Sequence, residues 1–244
     1  MIFANTGGQS GLQIEFFSVT GEPLPVTIVG PPSLPAQAAP MTVFETTLAP
    51  GQALSLQTAG LQDLQVGYAR FLARPSVGAT SVFTCSNTST GATLYDAGVP
   101  SITRSLRKFS IFLDSLGVRD TGLAMVRARQ SGNGIVTRRT ADNVRLRLFD
   151  TASNPIATTT LLLPEGAQVS RFIWEYFEDQ PEVAAQAREM QGVVVVDSQD
   201  RLAAVTLRLT DDPEDPTLTA FPVIEGGAEP SMVEVLRRGR VGSR

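Results

Sequence analysis

Asp211, Asp212, Glu214 and Asp215 put four carboxylates into five residues, the densest group of side chains in this sequence that could do chemistry. Loops offering only oxygen ligands can hold Ca²⁺ at the end of a β-sandwich, so these four are candidate calcium ligands. Their spacing fits no EF-hand, and a solvated acidic turn between two strands is the simpler account. Asp197 and Asp200 flank what reads as another turn. They could join such a site, or serve as a carboxylate pair in a hydrolase, if the loops meet in space. Ser105 and Lys108 match the Ser-x-x-Lys spacing in which a lysine activates a serine. The partner motifs of that chemistry are missing, and a loop leading into a strand explains the pair. Trp174, Tyr176 and Phe177 would stack on a sugar ring if exposed, but their helical spacing points to burial. Cys85 follows a strand and reads as a small buried or half-buried residue. Asn87-Thr88-Ser89 is a formal glycosylation sequon.

Absences narrow the chemistry further. The chain has no histidine, which removes the commonest general base, the commonest metal ligand and every Ser-His or Cys-His nucleophile. With Cys85 as the sole cysteine there is no internal disulfide and no thiolate metal cage. The net charge of -4 gives no overall attraction to nucleic acid or anionic membranes. Arg127, Arg129, Arg138, Arg139, Arg145 and Arg147 do gather positive charge in one stretch. Arg145 and Arg147 alternate with Val144, Leu146 and Leu148, so they should share the solvent face of a strand, paired with acidic neighbours. No aromatics interleave with them, as single-stranded nucleic acid would want. Residues 164–229 are acidic by contrast, and the two charges could steer subunits head to tail. No apolar run reaches the roughly twenty residues that span a bilayer. The first residues lack the charged and apolar regions of a signal peptide.

The elements that must position these residues read as one pattern occurring twice. Leu12–Phe17 and Val144–Phe149 each alternate apolar and polar residues, then turn at Thr20-Gly21-Glu22-Pro23 and Ala152-Ser153-Asn154-Pro155. Thr46–Gln52 matches Thr160–Gly166, each a short strand stopped by proline and glycine. Val66–Phe71 matches Gly192–Asp197, and each is followed by a further strand, Ala79–Thr84 or Ala203–Arg208. Last, Gly98–Pro100 and the strand Phe109–Leu113 are set against Leu218–Val223. The second copy alone carries an insertion near 168–190, where apolar spacing and an Ala/Glu/Gln-rich run favour helix.

At these residues the chain resembles a tandem β-sandwich repeat of uncharacterised bacterial secreted and cell-surface proteins. The motifs are the stretch from Ile2 to Leu24, Leu48–Gln52, Gly67–Arg70, Ala97–Pro100 and Thr121–Ala124. The resemblance covers the chain to about Ile224 and carries no catalytic residues. It departs at Val126-Arg127, where the repeat has asparagine after Thr-Gly-Leu-Ala-x.

The expected fold is therefore all-β: two tandem Ig-like sandwiches over 1–107 and 108–224, the second with a helical insertion, then a tail over 225–244. Leu123–Val126 aligns with Met1–Ala4, and the second copy has a strand before that point where the first has none. The first sandwich then begins one strand late, and an open edge is a template for pairing. A misassigned start, cleavage, or a strand supplied from elsewhere would each account for it. Ile2 and Phe3 at that edge, and Met232, Val233 and Val235 in the tail, are the candidate assembly residues. A frayed tail is the plain alternative. The expected function is a non-catalytic extracellular or cell-surface structural or adhesive protein, self-assembling by strand complementation with other copies. A glycan- or ligand-binding module of a larger secreted protein is the second reading.

Overall fold

The computed structural model describes residues 1–30, 39–59, 65–86, 89–91, 93–127, 141–212 and 216–226. The chain is mostly antiparallel strand. The first hundred residues supply β1 (Ile2–Asn5), β2 (Ser10–Ser18), β3 (Ile28–Val29), β4 (Val43–Leu48), β5 (Ala53–Ser55), β6 (Gln57–Thr58), β7 (Gly67–Ala73), β8 (Val77–Ser86) and β9 (Thr93–Pro100). They form one sheet in the order β5-β1-β8-β9, another in the order β4-β2-β7, and a short β3-β6 pair. β2 shows why these residues choose strand: Leu12, Ile14 and Phe16 point inward and the residues between them outward, the period-2 pattern of a half-buried strand. Phe3, Leu12, Ile14, Phe44, Leu48 and Leu54 come from both larger sheets and meet in one apolar core.

The rest supplies β10 (Leu106–Asp114), β11 (Arg119–Val126), β12 (Ala141–Asp150), β13 (Pro155–Pro164), β14 (Gln168–Phe172), β15 (Gln191–Thr210), β16 (Thr217–Phe221) and β17 (Ile224–Glu225). β15 serves two sheet regions. Its first half lies between β10 and β12, and its second half between β11 and β16. The resulting orders are β13-β12-β15-β10-β17 and β14-β11-β15-β16. Phe109, Ile111, Leu123, Val144, Leu146 and Val194 fill a second core between them. The expected helical insertion is present as a 3-10 turn (Ile173–Phe177) and α1 (Pro181–Ala187). Pro181 suits the first helical turn, where its missing N–H costs nothing. Ile173, Phe177 and Ala187 reach the second core.

The two halves share several turn hydrogen bonds. Asn5 N–H donates to Gln52 O while Asn5 O accepts from Gly51 N–H; Arg127 N–H donates to Ala167 O while Arg127 O accepts from Gly166 N–H. Gly51 and Gly166 carry this turn at φ of 72° and 83°, where a side chain would be strained. Ser18 N–H bonds Glu22 O as Asp150 N–H bonds Asn154 O. Gly67 lies so close to Phe17 O that a Cβ would sit 2.1 Å away, and Gly192 faces Phe149 O at 2.2 Å in the same way.

Three expectations are corrected. Phe109–Leu113 is not a counterpart of Leu218–Val223: it lies in β10, the first strand of the second half, while β9 corresponds to β16. Asp197 and Asp200 flank no turn but sit inside continuous β15. In the first half Pro75 stands between β7 and β8, and a proline cannot donate to a ladder. The third concerns β1. It is hydrogen-bonded on both sides, to β5 and β8, and Phe3 is buried in the core, so Ile2 and Phe3 do not form an open edge.

Candidate functional site: the outer edge of β7

β7 pairs with β2 alone among the described residues, from Leu12↔Ala73 to Ser18↔Gly67. Its counterpart in the second half is the first part of β15, because Ile14↔Phe71 and Ser18↔Gly67 repeat as Leu146↔Val196 and Asp150↔Gly192. There the other side is covered by β10, in the register Phe109↔Val196, Ile111↔Val194 and Leu113↔Gly192. Phe109, Ile111 and Leu113 are at most 1% exposed, and Val194 and Val196 beneath them are fully buried. The equivalent Ala69 is exposed and Phe71 half-buried. The first core thus lacks, among the described residues, the three large apolar side chains that close the second. β10 comes directly before β11 in sequence, and β1 is the counterpart of β11.

The other face of β7 is held in place. Tyr68 stacks on Phe17 with centroids 5.1 Å apart and donates its hydroxyl to Gly166 O at 2.8 Å. Arg70 pairs with Glu15 at 2.5 Å and lies over the Phe17 ring. Gln168 N–H donates to Val19 O, and Gly21 touches the Gly166 backbone so closely that a Cβ would stand 2.4 Å from its oxygen. Two turns from different halves therefore lock the edge strand to the second half.

Two buried corners differ between the halves. Asn5, 1% exposed, donates from Nδ2 towards Gly8 O, Leu48 O and Ala49 O and accepts at Oδ1 from Gly7 N–H and Ser76 Oγ. Arg127 takes the same place and keeps the equivalent bond, Nη1 to Leu163 O at 3.3 Å. It adds an ion pair to Asp200 at 2.5 Å. Arg127 is 5% exposed, so this member of the basic stretch is buried while Arg145 is exposed. Burial alone would raise the nearby Asp142 carboxyl. Hydrogen bonds from Ser198 and from the backbone N–H groups of Asp200 and Gln199, with the Arg127 charge, hold it below the usual range. Sequence reasoning noted the departure at Arg127 but missed the corner, whose partners lie far away in the chain.

The remaining predicted residues fall apart in space or beyond view. Asp211 is exposed and its N–H donates to Val118 O; Glu214 and Asp215 lie outside the described residues. Among the described residues no three His, Cys, Asp or Glu side chains gather as a metal cage. Asp197 pairs with Arg147 on the strand face where Arg145 is exposed. Buried Asp114 accepts from Arg119, Arg208 and Gln191. Tyr176 is buried, donates to Leu123 O, and has its pKa raised by burial. Trp174 gives its indole N–H to Asp120, and the Arg188 guanidinium covers its ring at 3.6 Å. Cys85 is half-buried in β8, and its hydrogen bond with Tyr95, more than burial, raises that phenol's pKa. Ser105 precedes β10 and accepts from Arg201 through its carbonyl, while Lys108 lies within β10. Asn87, Thr88, Arg129, Arg138, Arg139, Met232, Val233 and Val235 lie outside the described residues. No helix among the described residues is long and apolar enough to cross a membrane. No protein-family model, curated protein or solved structure matches the chain.

Proposed function

We propose that this chain is a non-catalytic structural protein of an extracellular or cell-surface assembly, built from two tandem Ig-like modules and joined to its neighbours by a strand accepted along β7. The observation that carries this reading is the β7 edge, uncovered among the described residues, beside its covered twin in β15. An edge of this kind, with half-buried Phe71 behind it, gains both ladder hydrogen bonds and apolar burial when a strand is added. The turn contacts at Gly21 and Gly166 favour a rigid building block over two modules on a loose tether. Paired carboxylates fit the non-catalytic part: Asp114, Asp197 and Asp200 each meet arginine, so none is poised as an isolated base.

Multi-angle light scattering over a wide concentration range tests the proposal. Species larger than one chain should grow with concentration, and a single-chain mass at every concentration would overturn it.

A further inference from the structure

We infer that the strand accepted by β7 is residues 231–236 of a neighbouring copy, running antiparallel to β7 with Val233 and Val235 turned into the first core. The inference rests on the assembly reading above and gives it a donor, a direction and a register.

Direction and register follow from the second half. β10 runs antiparallel to β15 and places Lys108, Phe109, Ser110, Ile111 and Phe112 opposite Asp197, Val196, Val195, Val194 and Val193. The β7 residues equivalent to that set are Leu72, Phe71, Arg70, Ala69 and Tyr68. A donor must therefore alternate, with apolar residues opposite Phe71 and Ala69 and an outward residue between them opposite Arg70. The run Met232-Val233-Glu234-Val235-Leu236 meets each condition. Val233 takes the place of Phe109 and Val235 that of Ile111. Glu234 falls opposite Arg70, a charge of opposite sign. Met232 falls opposite Leu72, which is 46% exposed, and Leu236 opposite Tyr68. The β-branched Val233 and Val235 suit a strand.

The point where the described chain stops fits this use. β17 pairs with the outer side of β10 at Phe109↔Glu225 and Ser110↔Ile224, and Gly226 N–H still donates to Lys108 O. Gly226 is thus held on the outside of the covered sheet. Four residues separate Gly226 from Ser231, which allows a reach of about 17 Å from that anchor.

Cross-linking single-cysteine chains tests the register and the donor together. In a Cys85→Ser background, Leu72→Cys is placed on one chain and Met232→Cys on another; both positions lie off the core. Mixed under mild oxidation, the two should give a disulfide-linked dimer that neither gives alone, and Val233→Asp with Val235→Asp should abolish it. No cross-link in a mixture that light scattering finds oligomeric would overturn the donor while leaving the assembly reading intact. Single chains at every concentration would overturn both. A chain carrying both cysteines that closes on itself as a monomer would overturn the neighbouring copy as the source.

Discussion

Replacing Asn5 by aspartate changes one atom and should cost the first half more than removing the side chain altogether. The amide nitrogen has two hydrogens and three carbonyls within 2.8–3.2 Å, so it makes two full bonds at a time. Aspartate keeps the acceptor role towards Gly7 N–H and Ser76 Oγ but turns a second oxygen on those carbonyls. Two lost bonds are worth about 2 kcal/mol, and the buried carbonyl and carboxylate left facing one another add about 1–3 kcal/mol. The expected loss is about 3–5 kcal/mol at neutral pH, against about 3 kcal/mol for Asn5→Ala. The ranking should reverse in acid. An aspartate in this corner has a folded pKa above its unfolded value, so stability relative to wild type returns as pH falls through that raised value. Protonated, the carboxyl can donate one of the missing bonds. Urea unfolding followed by far-UV circular dichroism measures this, with fluorescence of Trp174, the sole tryptophan, reporting separately on the second half. An Asn5→Asp chain within about 1 kcal/mol of wild type at neutral pH, or one indifferent to pH, would refute the assigned corner.

Other outcomes follow from the same geometry. Arg127→Ala should cost about 3–5 kcal/mol in urea unfolding, because it strands Asp142 and Asp200 without their cation. The lowered Asp142 pKa means that its stabilising contribution is present above the unfolded value near 4 and is lost as pH falls through the folded one. Asp142→Asn should therefore flatten the acid limb of the stability profile, and an unchanged limb would contradict the corner. Gly67→Ala and Gly192→Ala should each lower stability by about 1–3 kcal/mol, since the new methyl meets a backbone oxygen in both halves. Thermal midpoints that fall for only one of the two would break the equivalence of β7 and β15.

Much of the architecture was legible because it depends on local pattern. Alternation at Leu12–Phe17 and Val144–Phe149 marks strands whichever neighbours they find, and the spacing through Ile173 and Phe177 marks the insertion. The uncovered edge was only half legible. Internal alignment tells which strand has no counterpart, but not the neighbour that strand lies beside. β10 precedes β11 in the chain but pairs with β15, so the edge to compare is that of β7, which among the described residues pairs with β2 alone, and not that of β1. The burial of Arg127 was not legible, because arginine is exposed by default and the carboxylates that retain it are brought in by β12 and β15. The break between β7 and β8 against continuous β15 shows how a single proline can alter a sheet without altering the core pattern around it.

Amide hydrogen exchange along Gly67–Ala73 is the most direct measurement of strand acceptance at β7. In dilute solution the outward amides of β7 should exchange quickly, while those of Gln191–Asp197 in the covered counterpart stay protected. At concentrations where larger species form, the β7 amides should become protected as well. Equal exchange from β7 at both concentrations would contradict the proposal, because the chains would then be meeting at some other surface.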